Sequence, residues 1–146
     1  MKKILITLLT ISAIAIMPGC AKKGCTKSLA DNYNDEATLD DFSCVYTGNV
    51  YFWCLPAVSD SLNTLGHSIL RFELEGQILD SVATISFASV EGVCNAPGVM
   101  TIPRTFTGNN EWKYKWRVKG NNFMTVYEGF ITIPGGDCVG IQLDYP

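Results

Sequence analysis

Trp112-Lys113-Tyr114-Lys115-Trp116-Arg117-Val118-Lys119 is the stretch that decides the fold. Apolar and cationic residues alternate along it without a break. A period of two puts Trp112, Tyr114, Trp116 and Val118 on one face of an extended strand. Lys113, Lys115, Arg117 and Lys119 then share the opposite face. A helix would scatter both sets around its circumference. The stretch therefore reads as a half-buried strand with an aromatic inner side and a cationic outer side.

Similar runs recur on either side of it. Rich in β-branched and aromatic residues, they cover 50–55, 69–75, 78–87, 99–102, 112–118, 123–133 and 138–145. Turn signals separate them: Gly76-Gln77, Ala96-Pro97-Gly98, Gly120-Asn121-Asn122 and Pro134-Gly135-Gly136-Asp137. No stretch after residue 48 sustains a helical period. Short strands at this spacing predict an all-β domain over 48–146, an antiparallel β-sandwich of about seven strands, Ig-like or transthyretin-like.

Composition supports a packed domain. The chain has 146 residues, 47% hydrophobic and only 17% charged, with seven Phe, six Tyr and three Trp, which excludes a disordered protein. Eleven Lys and Arg against 14 Asp and Glu give a formal charge of −3, which excludes a globally basic nucleic-acid binder. The lone histidine, His67, removes most metal and acid–base chemistry. His67 and Ser68 are the one adjacent base and nucleophile, and neighbours on a strand point to opposite faces. Glu73 and Glu75 share one strand parity and read as a solvated stripe. No elbow, metal-binding helix or phosphate loop is present, so no enzyme and no cofactor is expected.

The first residues have a different character. Lys2 and Lys3 precede an apolar run over 4–17 that is too short for a bilayer span, so residues 1–19 read as a secretory signal peptide. Met17-Pro18-Gly19-Cys20 resembles the lipobox of bacterial lipoproteins, although Met17 and Pro18 stand where that family has Leu and Ser or Ala. The resemblance implies that Cys20 becomes the lipidated first residue. The plain alternative is a secreted protein whose Cys20 joins a disulfide.

Export places the six cysteines, at 20, 25, 44, 54, 94 and 138, in an oxidising compartment. Cys25 and Cys44 bracket a polar segment too poor in apolar residues for its own core. Their pairing closes a loop worth about 3 kcal/mol in the chain-entropy picture. For the rest, strand parity decides. If consecutive strands run alternately up and down, Cys54 and the loop with Cys94 fall at one end and Cys138 at the other. The expectation is Cys54 bonded to Cys94, with Cys138 unpaired.

Residues 20–47 form a neck between lipid and sandwich. Gly24-Cys25-Thr26, Asn32-Tyr33-Asn34, Ala37-Thr38, Asp40-Asp41 and Ser43-Cys44 resemble a short Cys–Asx module found in surface and secreted proteins of Gram-negative bacteria. Lys27 replaces the module's usual Asp, and Phe42 its usual Gly. Asp31, Asn32, Asn34, Asp35, Asp40 and Asp41 could supply oxygens to calcium, with Asp31, Asp35, Asp40 and Asp41 the weak metal candidates. Alternatively they close Asx turns on their own backbone, which needs no ion. The start of the sandwich, Gly48-Asn49-Val50-Tyr51-Phe52-Trp53, looks like a β-domain common in envelope lipoproteins, a likeness that implies a sandwich and no activity.

Together these readings predict a lipid-anchored, non-catalytic structural or interaction module of the cell envelope, in the outer membrane of a Gram-negative bacterium. Its partners would be the membrane, through the lipid, and a surface glycan or protein, not nucleic acid. The alternative is a glycan or anionic-ligand binder using Lys113, Lys115, Arg117 and Lys119. The same cations could equally keep a sheet face soluble beside neighbouring Glu side chains.

Overall fold

A computed structural model of the chain describes residues 21–89 and 92–145. The signal segment 1–19 and the lipidation candidate Cys20 lie outside the described residues. The fold is all-β and sandwich-like. Two-residue strands β1 (Lys23–Gly24) and β2 (Leu39–Asp40) pair in parallel in the neck. The longer strands are β3 (Val45–Cys54), β4 (Ile69–Leu74), β5 (Gln77–Ala83), β6 (Met100–Thr107), β7 (Glu111–Lys119), β8 (Thr125–Pro134) and β9 (Cys138–Leu143). They form a three-stranded sheet in the order β6-β3-β9 and a four-stranded sheet in the order β5-β4-β7-β8.

The core lies between the two sheets. Alternate residues Tyr46, Val50, Phe52 and Cys54 of β3 point inward, as do Leu70, Phe72 and Leu74 of β4, and all are buried. The Phe52 ring sits 5.0 Å from Phe72 and 5.6 Å from Trp116, which joins one sheet to the other. Phe87, reached through the 3₁₀ turn Thr84–Ser86, closes on Phe72 at 5.2 Å. Such tilted and edge-on aromatic pairs add to the burial energy itself.

Four sequence expectations about the architecture need correction. The first concerns helix. α1 (Pro56–Thr64) directly follows β3, with Pro56 in its first turn, where a fixed φ favours helix entry. Its core face is Val58 and Leu62, one turn apart, so the segment is too short for a sustained period. The second is strand direction: β9 runs parallel to β3, from Asn49 opposite Cys138 to Cys54 opposite Leu143. The sandwich is therefore not wholly antiparallel.

The third follows from the second. Cys94 bonds Cys138, with Cα atoms 6.3 Å apart, and Cys54 is free and buried. Parity along a single stack fails because the chain changes sheet between β3 and β4, β5 and β6, β6 and β7, and β8 and β9. Cys138 therefore sits opposite the middle of β3, and it shares the outward parity of its register partner Asn49. Cys54 has the inward parity of Phe52. Its Sγ donates to the Phe87 carbonyl at 3.1 Å, and burial pushes the thiol pKa up to about 11.

The fourth is the neck boundary. Cys25 and Cys44 are disulfide-bonded, with Cα atoms 4.8 Å apart. The first long strand begins immediately after Cys44, however, inside the segment assigned to the neck. Tyr46 is fully buried and stacks on Phe106, and Cys25, Ala30 and Cys44 belong to the same apolar cluster as the sandwich. The neck is docked on the sandwich, not strung out before it.

Candidate interaction surface

The cationic strip occupies the outer face of the four-stranded sheet. β7 pairs with β4 from Leu74 opposite Trp116 to Arg71 opposite Lys119, and with β8 along its length. Arg117 is thereby flanked by Glu73 on one side and Glu128 on the other. Arg117 Nη1 donates to Glu73 Oε1 at 2.6 Å and Arg117 Nε to Glu128 Oε2 at 3.2 Å. Lys119 pairs with Glu73, and Lys115 Nζ lies 3.0 Å from Glu128 Oε2. Two carboxylates thus hold three of the four cations.

Glu73, expected in a solvated stripe, is only 2% exposed, roofed by Lys119 and Arg117. Hydrogen bonds from Lys119 and Arg117 hold its carboxyl below the usual glutamate value of 4.5, against the opposing effect of desolvation. Lys115 and Arg117 do the same for Glu128. Glu75 instead occupies the β4–β5 turn at φ 49°, and its Oε1 accepts from the Lys115 amide at 2.6 Å.

Aromatic rings border this network. Arg71 stacks on Phe123 at 4.5 Å, and Lys113 on Phe130 at 5.0 Å. Among the described residues Lys113 forms no ion pair. A shallow concavity of about 620 Å³ lies beside Arg117, Lys119, Phe123 and Tyr127. A second, of about 500 Å³, separates the neck at Lys27 to Leu29 from residues 108–110 and has Tyr46 in its floor.

The other sequence candidates are placed as follows. Tyr114 and Val118 are buried as expected for the inner face, but Trp112 is 46% exposed. In the neck, Asp40 Oδ1 accepts from the Phe42 amide, Asp41 Oδ1 from Ser43 and Asn34 Oδ1 from Glu36, all Asx turns. The Asn32 side chain bridges Ser43 and Val45. Among the described residues no three His, Cys, Asp or Glu side chains converge as a metal site would need. The Ser43 hydrogen bonds hold Asp41 below the usual carboxylate range.

His67 packs its ring against the Gly120 backbone. Ser68 Oγ accepts from Asn121 Nδ2 at 2.9 Å, so the two side chains serve the β7–β8 turn. No helix among the described residues is long and apolar enough to cross a membrane.

Sequence reasoning did not single out Arg104. It lies between Ile102 and Phe106 on β6, at core-facing parity, and its guanidinium stands 5.5 Å from the Tyr114 ring. Its Nε is buried without a hydrogen-bond partner. A charge at an apolar parity was the available signal. Neither a family model, nor a curated protein, nor a solved structure matches the chain.

Proposed function

We propose that the chain is a lipid-anchored protein of the bacterial cell envelope, in the outer membrane of a Gram-negative cell, acting as a non-catalytic structural or interaction module. The pair of disulfides, Cys25–Cys44 and Cys94–Cys138, carries this reading, because such bonds persist outside the reducing cytoplasm. The lipobox-like Met17 to Cys20 supplies the anchor. Acyl chains contribute about 0.8 kcal/mol per buried methylene, and more than one chain gives stable attachment. Cys25 follows Cys20 after four residues and is fixed to the sandwich, so the head would sit within about 18 Å of the bilayer at ~3.5 Å per residue.

The test is fractionation with intact mass under non-reducing conditions. The native chain should start at Cys20, carry acyl mass and two disulfides, and stay with membranes. Cys20→Ser should release it. A native chain that keeps residues 1–19 or bears a bare thiol at Cys20 refutes the anchor. The glycan reading ranks second because Glu73 and Glu128 already neutralise Lys115, Arg117 and Lys119.

A further inference from the structure

β7 outruns its neighbour. β4 stops at Leu74, opposite Trp116, while β7 continues to Glu111 with, among the described residues, only β8 beside it. The Lys115 amide donates to Glu75 Oε1, and its carbonyl accepts from the Glu75 amide at 2.9 Å, so both groups face the β4 side. In an antiparallel ladder these directions repeat every second residue. The N–H and C=O of Lys113 and Glu111 therefore face the side on which no strand of the described residues lies. Pro134, which has no N–H to give, stands opposite Glu111, consistent with that phase.

The side chains around this gap are equally uncommitted. Glu111, Trp112 and Lys113 are all exposed, although Trp112 has core-facing parity. Above the inner side, Arg104 stacks on Tyr114 with its Nε unsatisfied, and no carboxylate among the described residues pairs with it. On the outer side Lys113 lies over the Phe130 ring and, among the described residues, has no acid partner. Two other edges carry the usual blocks to pairing. β6 has Pro103 at its middle, and β5 is itself bulged at Leu79, which has no partner between Phe72 and Glu73.

We propose that the free half of β7, Glu111 to Tyr114, is a docking edge for an extended acidic peptide strand of a partner protein. The strand adds to the four-stranded sheet where β4 ends. Main-chain bonds to Lys113 and Glu111 supply register. Its alternate side chains cover Trp112 and reach Arg104 on the inner side and Lys113 on the outer, so carboxylates at these positions meet two unpaired cations. This names the partner class of the interaction module and rests on that reading, though not on the lipid.

The experiment uses the full chain and a labelled peptide of alternating Val and Glu, with a Val/Lys peptide as control. Amide exchange should show Lys113 exchanging fast in the free chain and protected when the Val/Glu peptide is added. Lys113→Pro removes an N–H that faces solvent, so melting should hardly move while affinity falls by about tenfold or more. Arg104→Gln should weaken the Val/Glu peptide about tenfold, the scale of one charge-assisted hydrogen bond.

No binding, equal binding of the Val/Lys peptide, or undiminished binding by Lys113→Pro overturns the proposal. So does a Lys113 amide already protected in the free chain, or a Lys113→Pro chain that fails to fold. Protection that rises with protein concentration alone would make the occupant a second copy and also overturn it. If Cys20→Ser leaves membrane fractionation unchanged while peptide binding holds, only the anchor is lost. Membrane release without peptide binding removes only the docking edge.

Discussion

The two outer faces of the sandwich are covered by different chemistry. On the four-stranded sheet the cover is electrostatic: Glu73 and Glu128 interleave with Lys115, Arg117 and Lys119 in a cross-strand network. On the three-stranded sheet it is covalent. There residues 92–99 fold back over β3 and β9, fastened by Cys94–Cys138 and by Tyr51 Oη donating to the Gly92 carbonyl at 2.8 Å. The loop lies flat because Gly92 rests on the Trp53 indole and Gly140 lies under Tyr51, where any Cβ would collide. The first cover depends on ionised carboxylates and the second on an intact disulfide, so the two faces are expected to respond separately to pH and to reduction.

The largest expected effect separates them. The double substitution Cys94→Ala with Cys138→Ala should cost about 3–4 kcal/mol on the chain-entropy scale for this loop length, measured by urea unfolding. Amides in 92–99 should lose exchange protection while those of β7 and β8 keep theirs. Loss of protection on both faces alike would show that the covers are not independent.

Glu73→Gln probes the other face. It should cost on the order of 2 kcal/mol at neutral pH, less than a fully enclosed pair, because Arg117 and Lys119 can still reach water. The pH dependence has a definite sign. Glu73 and Glu128 titrate below 4.5 when folded, so their stabilisation is complete above that value and fades as pH falls through the folded pKa values. Melting temperatures from pH 7 to pH 3 should fall for the native chain and fall less for Glu73→Gln. Parallel curves would show that the network contributes nothing specific.

The smallest effect lies in the neck and should be a gain. Phe42 takes φ 62°, a left-handed conformation costly for a β-carbon, and its ring is 84% exposed. Phe42→Gly should stabilise by about 1 kcal/mol, read as a rise in melting temperature. No rise would mean that the ring has a use that offsets its strain.

How much of this was legible in the sequence depends on the range of the interaction. The alternation over β7 correctly gave a strand with Tyr114 and Val118 inside and the cations outside, because side-chain parity is local. The turn at Gly76 and the one at Gly120 were legible for the same reason. Sheet order was not: nothing in 138–145 announces that β9 lies parallel to β3, and the cysteine pairing failed with it. Trp112 escaped burial because β4 ends four residues short of the position opposite it, a fact about another strand. Glu73 looked solvated since its cationic roof comes from a register set between distant segments. The docking candidate Arg104 was hidden for that reason too, as its lack of a counter-ion depends on what the fold brings near.

The short step from Cys44 into β3 has a mechanical consequence. Tension applied at the amino end passes through the Cys25–Cys44 bond into the middle member of the three-stranded sheet. β3 is clasped by β6 on one flank and β9 on the other, so any component of the pull along the β3 axis loads both ladders in shear at once.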